Sequence, residues 1–190
     1  MRATLIVMVK QPRPGQVKTR LGREIGSVPA AWWYRHQCAR LLRCLRDPRW
    51  QIVLAVAPDR ALGARVWPAD LARLPQGGGD LGARMSRLLR SQPGPTCLIG
   101  SDIPAVTPRH IARAFALLGA RDAVFAPAAD GGFWLVGARH PRRLPRTLFH
   151  AARWSSEHAL ADSLASLPGL RIALADTLKD VDQAADLRHG

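Results

Sequence analysis

The sequence predicts an α/β protein with a mostly parallel sheet, helices on both faces and one antiparallel strand. Short apolar runs alternate with segments of helical period along the chain, which is the order expected of a covered parallel sheet. Residues 3–9 and 51–57 are almost entirely apolar, as in strands that are buried on both faces. Residues 133–137 follow 122–126 too soon for a crossover helix, which predicts an antiparallel strand there.

The other elements follow from the same periodicities. Apolar residues recur at helical spacing between Tyr34 and Leu45, and Pro48 ends the helix that they predict. Further helices are predicted at 81–89, 107–118 and 155–167, together with a short terminal helix. Further strands are predicted at 96–100 and 170–174. Loops rich in proline and glycine are predicted at 11–15, 75–82, 93–95 and 127–132.

Length and composition restrict the class of protein. A chain of 190 residues with 47% hydrophobic residues is expected to form one domain over 1–190. No apolar run approaches the length of a membrane span, and the first ten residues lack the length and cleavage site of a signal peptide. Cys38, Cys44 and Cys97 have no C-x-x-C spacing, which predicts neither a disulfide framework nor structural zinc. These features favour a cytoplasmic protein.

The net charge of +14 would suit a polyanionic partner. Most of this charge is arginine, however, and it is scattered along the chain rather than collected in one stripe. The distribution favours a small ligand with several phosphates over a specific nucleic-acid partner. The oligomeric state is not predicted by the sequence.

The loop after the first strand has the composition of a phosphate-binding segment. It runs from Lys10 through Pro14 and Gly15 to Lys18 and Arg20. Backbone N–H groups of such a turn and the basic side chains can bind phosphate oxygens. The loop is neither a G-x-G-x-x-G nor a Walker A sequence, and a solvated surface loop is the alternative.

A glycine-rich segment precedes the helix predicted at 81–89. Gly78 is the middle one of three consecutive glycines, which let a backbone approach a ligand closely. Arg84 stands one turn into the helix, where it can reach a phosphate. Asp80 has the position of a helix N-cap, which explains it without a ligand.

The strand predicted at 96–100 ends in a Gly-Ser-Asp turn that Pro104 follows. Ligands of open α/β sheets bind just outside the carboxyl ends of the strands. Asp102 is therefore placed to bind a divalent cation, and Ser101 is placed to bond a ribose. The alternative is an Asx turn that only shapes the chain.

Three more carboxylates are candidates for function. Asp130 stands in an Asp-Gly-Gly segment before an aromatic strand, which suits the acceptor side of a transfer reaction, although a tight turn is the alternative. Asp180 and Asp182 lie on the same side of an extended segment and can complete a metal site with Asp102. Capping of the terminal helix is the alternative for this pair.

Six segments carry a resemblance to a known family, with the patterns K-x-P-x-P-G-x-V-K-T-R-L, Q-x-G-G-D-L-G-x-R-M, L-I-G-S-D-x-P, A-x-D-G-G-[FY]-x-L, W-S and D-V-D. They lie at 10–21, 76–85, 98–104, 128–135, 154–155 and 180–182. In this order they resemble the small glycosyltransferases often labelled arsenosugar-biosynthesis-type, within the nucleotide-diphospho-sugar transferase superfamily.

The resemblance implies a GT-A-like, three-layer α/β/α fold. It also implies that the loop at 14–20 and Arg84 contact the nucleotide diphosphate and that Asp102 binds the metal. Asp130 would lie on the acceptor side, and Asp180 or Asp182 would supply a second carboxylate.

We therefore predict a transferase that depends on Mg²⁺ or Mn²⁺ and takes a nucleoside-diphosphate sugar and a small-molecule acceptor. The predicted nucleotide-binding residues are Lys10, Pro14, Gly15, Lys18, Arg20, Gly78, Asp80, Arg84 and Ser101. The predicted metal ligands are Asp102, Asp180 and Asp182, and the predicted catalytic residue is Asp130. One alternative is a guanylyl- or cytidylyltransferase acting on a phosphorylated small molecule. Another is a non-catalytic module that binds nucleotides or nucleic acid through its positive charge.

Overall fold

The computed structural model describes residues 2–178 and has a seven-stranded sheet at its centre. The strands are β1 (Ala3–Lys10), β2 (Trp50–Ala57), β3 (Ala72–Pro75), β4 (Thr96–Ile99), β5 (Ala123–Pro127), β6 (Phe133–Ala138) and β7 (Ile172–Leu174). Their order across the sheet is β3-β2-β1-β4-β6-β5-β7. Strand β6 runs antiparallel to both of its neighbours, and the other pairs are parallel. The predicted sheet with one antiparallel strand is confirmed.

Within residues 2–178, five α-helices connect or follow these strands, and the predicted terminal helix lies outside these described residues. They are α1 (Thr19–Ile25), α2 (Ser27–Cys44), α3 (Leu81–Arg90), α4 (Pro108–Leu117) and α5 (Ala159–Ala165), and 3₁₀ turns lie at Asp59–Ala61 and Pro141–Arg143. Helix α5 is shorter than the predicted span of 155–167. Helix α2 begins at Ser27 rather than near Tyr34, because its first turn accommodates Pro29 without losing a hydrogen bond.

Two elements were not predicted from the sequence. Helix α1 lies at the end of the loop that follows β1, and it is only two turns long. Strand β3 has the sequence Ala-Arg-Leu-Pro, which lacks an apolar run, and it pairs with β2 at the edge of the sheet. An edge strand tolerates proline and polar residues because only one of its sides is paired.

The sheet is covered on both faces, and the side chains of β1 show the division. Leu5, Val7 and Val9 point into a core that includes residues of α2 and α4. Ile6 points into a second core, on the other face, which includes residues of α3. Residues of α5 pack against this second core as well. The three-layer arrangement implied by the family resemblance is therefore confirmed.

The topology determines where a ligand can bind. The carboxyl ends of β1, β3 and β4 and the amino end of the antiparallel β6 carry the polar loops singled out from the sequence. Such an edge is where open α/β sheets bind their ligands. None of the helices between residues 2 and 178 is long and apolar enough to cross a bilayer.

Candidate functional site

A cavity of about 890 Å³ opens at this edge of the sheet. Its charged and hydroxyl-bearing lining falls into two parts. We call the part over β1 and β3 the basic half, after its cations Lys10, Lys18, Arg20 and Arg84. We call the part beside β6 the acidic half, and it consists of Asp130, Ser155, Ser156 and Glu157. Asp102, at the end of β4, lies between the two halves.

The cavity brings together most of the residues predicted from the sequence. Those that line it are Lys10, Lys18, Arg20, Asp80, Arg84, Ser101, Asp102 and Asp130. Pro14, Gly15 and Gly78 lie in the same loops but are not among its lining residues. Asp180 and Asp182 lie outside the described residues. The roles assigned to all of these residues stay predictions.

An ion pair joins the loop after β1 to the loop after β4. The Lys18 ammonium donates a hydrogen bond to Asp102 Oδ2 at 2.9 Å. The lysine side chain is only 6% exposed, whereas that of Asp102 is 38% exposed. Lys18 has left-handed backbone angles, with φ 46° and ψ 49°, immediately before α1. The fold therefore brings a cation to the Asp102 carboxylate at the wall of the cavity.

Beneath this pair lies a buried hydroxyl network centred on Tyr34 of α2. The Tyr34 hydroxyl accepts a hydrogen bond from the backbone N–H of Lys10 at 2.9 Å and is bonded to Ser101 Oγ at 2.8 Å. Burial raises the pKa of this phenol well above its usual value. The thiol of Cys38 interacts with the same two hydroxyls, and burial raises its pKa to about 11. These groups stay protonated near neutral pH and connect the two loops.

The glycine loop before α3 is held by side chains on both sides of it. Gln76 is buried and donates from Nε2 to the carbonyls of Val9 and Ala55 at 3.1 and 2.9 Å. Arg84 Nε donates to the carbonyl of Gly79 at 2.9 Å. Asp80 accepts a hydrogen bond from the backbone N–H of Ala83 and caps α3. The helix-capping role, which was the alternative to ligand binding, is therefore observed, and nucleotide binding by Asp80 stays a prediction. The guanidinium of Arg84 is thereby held at the cavity wall.

The acidic half depends on two loops that touch. Gly131 has φ +86°, and a Cβ added there would lie 2.4 Å from the carbonyl oxygen of Glu157. The backbone N–H of Leu160 donates to the Gly131 carbonyl at 3.1 Å. Asp130 Oδ1 accepts from the N–H of Gly132 at 3.0 Å, which fixes the turn. The backbone therefore sets the positions of Asp130 and Glu157 at the cavity.

Aromatic side chains form the floor on this side. Phe133 meets Phe125 edge-on, with ring centroids 5.1 Å apart, and stacks on Phe149 at 6.0 Å. Trp134 is buried and donates from Nε1 to the carbonyl of Asp176 at 2.9 Å. Both Phe133 and Trp134 line the cavity. Phe133 is only partly buried and can meet a ligand, whereas the Trp134 side chain lies in the core on the opposite face of the sheet.

Some lining residues were missed as site residues. Tyr34 was assigned only to the apolar face of a helix, although it is the only tyrosine in the chain and a buried phenol needs a partner. Gln76 is a buried amide in a glycine-rich loop. Buried amides must be hydrogen-bonded, so a glutamine at this place indicates a structural role in the loop. Ser155 belongs to the W-S segment that carries the family resemblance but was given no role, and Glu157 carries no local signal, since its contact with Gly131 brings it to the cavity.

The carboxylates do not form a complete metal cage within residues 2–178. No group of three or more His, Cys, Asp or Glu side chains there is arranged to hold a metal ion. Mg²⁺ is, however, often bound by one or two carboxylates together with substrate phosphates. Asp102 faces the cavity, and in such a shared site its carboxylate would exchange the Lys18 ammonium for the metal ion.

Comparisons with solved structures agree with the fold. A candidate nucleotide-diphospho-sugar transferase from Desulfovibrio desulfuricans G20 is 27% identical, with 96% of this chain and 84% of that chain covered and a TM-score of 0.83. Rv0371c from Mycobacterium tuberculosis H37Rv, in complex with manganese, is 18% identical, with 100% and 97% covered and a TM-score of 0.52. The 4-diphosphocytidyl-2C-methyl-D-erythritol synthase from Anaerococcus prevotii DSM 20548 is 7% identical, with 99% and 95% covered and a TM-score of 0.60. No curated protein matches the sequence.

The fold and its cavity define the class of this protein, which has the nucleotide-diphospho-sugar transferase fold. Residues 40–156 match the family described as "Uncharacterized protein conserved in bacteria (DUF2064)", and the chain belongs to that family. The superfamily that the sequence motifs indicated is thus confirmed. The narrower arsenosugar-type assignment stays a prediction.

Proposed function

We propose that this protein is a metal-dependent glycosyltransferase that takes its sugar from a nucleoside-diphosphate donor. The observation that supports this most is the composition of the cavity, in which four cations and Asp102 face the same space. The diphosphate of the donor would lie over the basic half, where Lys18, Arg20 and Arg84 neutralise its charge. Catalysis would then come from positioning and from stabilisation of the departing charge.

Asp102 is the residue that would hold the metal. Its carboxylate lines the cavity and accepts a hydrogen bond from the Lys18 ammonium, which a bound metal ion would displace towards the diphosphate. We include Asp180 and Asp182 as further ligands, on their sequence pattern. When bound, the ion would neutralise the diphosphate and make it a better leaving group. The manganese in the related Rv0371c structure supports a divalent cation in this fold.

The proposed reaction moves one sugar. The acceptor oxygen forms a bond to the anomeric carbon, and the bond from that carbon to the diphosphate oxygen breaks. The diphosphate leaves with the bonding electron pair. Asp130 takes the proton of the acceptor hydroxyl, since its carboxylate lines the acidic half.

Calorimetric titration of nucleoside diphosphates, with and without Mn²⁺, tests the proposal. Mn²⁺ should strengthen binding to the wild type, and Asp102→Asn should abolish this gain because the anionic ligand is lost. Lys18→Met should weaken binding about tenfold, as expected when one charge-assisted hydrogen bond to phosphate is removed. Asp70→Asn is the matched control, since Asp70 pairs with Arg46 just ahead of β3, at the amino ends of β2 and β3.

Full Mn²⁺-dependent binding by Asp102→Asn contradicts the metal assignment. The product separates glycosyl transfer from its main alternative, the transfer of a nucleotidyl group. Glycosyl transfer releases a nucleoside diphosphate, whereas nucleotidyl transfer releases pyrophosphate. Ion chromatography of the reaction mixture distinguishes the two products.

A further inference from the structure

The two halves of the cavity differ in charge, and this difference bears on the second substrate. We propose that the acceptor carries no phosphate or carboxylate group and is a neutral or amino-bearing polyhydroxyl compound. This inference rests on the proposed function, because it assumes that the donor diphosphate lies over the basic half. The acidic half is then the part of the cavity that remains for the acceptor.

The charged side chains that line the acidic half are both carboxylates. They are Asp130 and Glu157, and Ser155 and Ser156 add hydroxyl groups. The nearest basic neighbours along the chain do not offset them. Arg153 makes two hydrogen bonds to Asp162, at 2.8 and 2.9 Å. The ring of His158 lies 3.7 Å from Glu157 Oε1, and it is not among the lining residues.

The cations of the described lining are all in the basic half. They are Lys10, Lys18, Arg20 and Arg84. Lys18 is directed to Asp102 and Arg84 to the carbonyl of Gly79. A bound diphosphate, with its two to three negative charges, would take up the positive potential of this half. Among the described lining residues, a second phosphate in the same cavity would then meet two carboxylates and no additional cation.

The acidic half suits hydroxyl and amino groups instead. Carboxylates and serine hydroxyls accept hydrogen bonds from O–H and N–H groups, and a carboxylate also attracts an ammonium group. The apolar face of a sugar-like ring can pack on Phe133, which is only partly buried and lines the same side. Aromatic rings below and polar groups around a ligand are a common arrangement in small-molecule sites.

The geometry also restricts how the acidic half can adapt. The backbone of Glu157 packs closely against Gly131. Any movement of one loop relative to the other would therefore disturb this packing. Asp130 is tied to the N–H of Gly132 in the same turn. The Asp130 carboxylate and the backbone of Glu157 are therefore held beside the acceptor space, and the Glu157 side chain, which is 81% exposed, projects from this fixed backbone.

Calorimetry on the full chain, saturated with Mn²⁺ and the nucleoside diphosphate that binds it best, tests the inference. Glucosamine, glucose and glucose 6-phosphate serve as probes, since they share one ring and differ in charge. Glucosamine and glucose should bind at least tenfold more tightly than glucose 6-phosphate, or glucose 6-phosphate should show no binding at all.

A charge-reversal variant tests the role of charge with a single probe, so the result does not depend on which sugar ring is chosen. Glu157→Lys should strengthen binding of glucose 6-phosphate at least fivefold over the wild type. Asp70→Lys, which makes the same change of two charge units, should change it less than twofold, since Asp70 is exposed just before β3, at the opposite edge of the sheet. This control separates a local charge effect from a change in net charge.

Two results overturn the inference. One is tighter binding of glucose 6-phosphate than of glucose to the wild type, and the other is no gain of glucose 6-phosphate binding in Glu157→Lys. Both are measured on protein that has bound its nucleoside diphosphate. A wild-type protein that binds no nucleoside diphosphate at all overturns the proposed function itself, so the two failures are distinct.

Discussion

The basic and acidic halves of the cavity are held in place by different means. In the basic half, the buried Tyr34 hydroxyl bonds to the end of β1 and to the turn after β4, and the buried Gln76 ties the loop after β3 to carbonyls of β1 and β2. In the acidic half, the backbone of Gly131 packs directly on that of Glu157. Substitutions should therefore act through lost hydrogen bonds in the first half and through backbone strain in the second.

The two kinds of support also fix different parts of the structure. A network of buried hydrogen bonds fixes individual polar atoms, as a charged ligand with defined geometry requires. Close backbone packing fixes the shape of a loop but leaves exposed side chains, such as that of Glu157, surrounded by solvent. The basic half is thus a preorganised binding surface, and the acidic half is a rigid frame with replaceable side chains.

The largest effect on stability is expected from Gly131→Ala, which disrupts the backbone packing that holds the acidic half. The new Cβ would overlap the Glu157 backbone, and a left-handed φ of +86° is unfavourable for alanine. The conformational cost is about 1–2 kcal/mol and overpacking adds about 1–3 kcal/mol. Urea unfolding should therefore show a loss of about 2–5 kcal/mol.

Gly169→Ala is the matched control for this prediction. Gly169 has φ +78°, but nothing lies within 4 Å of an added Cβ. Its loss should be limited to the conformational part, about 1–2 kcal/mol. Equal losses in the two variants would mean that the contact between Gly131 and Glu157 contributes nothing.

A smaller effect is expected from Tyr34→Phe, which removes the central hydroxyl group of the buried network. The variant keeps the ring but leaves the N–H of Lys10 and the hydroxyl of Ser101 without this partner. A buried polar group left unsatisfied costs about 1–3 kcal/mol. We expect a loss of this size in urea unfolding and a weaker affinity for nucleoside diphosphates.

The comparison for Tyr34→Phe is Ser156→Ala in the acidic half. The Ser156 hydroxyl donates to the carbonyl of Arg153 at 2.6 Å and accepts from the N–H of His158 at 3.2 Å. This hydroxyl is more accessible to water, so its removal should cost about 0.5–1 kcal/mol. A larger loss in Ser156→Ala than in Tyr34→Phe would reverse the proposed contrast between the halves.

The sequence was more informative about the basic half than about the acidic half. Lys18 and Asp102 stand in loops that follow strands, and Arg84 stands in the first turn of the helix that follows β3, so a parallel topology brings them to one edge by necessity. Glu157 reaches the cavity through its contact with Gly131, which links loops that are distant in sequence. Local periodicity contains no information on such a contact. Strand β3 was missed for a similar reason, since its four residues depend on pairing with β2.

The effect that is smallest near neutral pH, where it is absent, concerns the thiol beneath the basic half and develops only at alkaline pH. Burial raises the pKa of Cys38 to about 11, from an ordinary value of 9.0. Between these values the folded chain keeps a proton that the unfolded chain releases. Stability should therefore be unaffected by this group below pH 9 and should fall as pH rises from 9 to 11. A difference of two pKa units corresponds to a loss of about 2–3 kcal/mol.

Urea unfolding of Cys38→Ala at several pH values measures this contribution. The variant loses some stability at pH 7 because a buried side chain is truncated, so the slope against pH is the relevant quantity. We expect a shallower fall between pH 9 and 11 than in the wild type. Cys44→Ala is the control, since that thiol is exposed on the same helix, and it should retain the slope of the wild type. An unchanged slope in Cys38→Ala would mean that the network of Tyr34, Ser101 and Cys38 is open to water, and the basic half would then lack the buried support that distinguishes it from the acidic half.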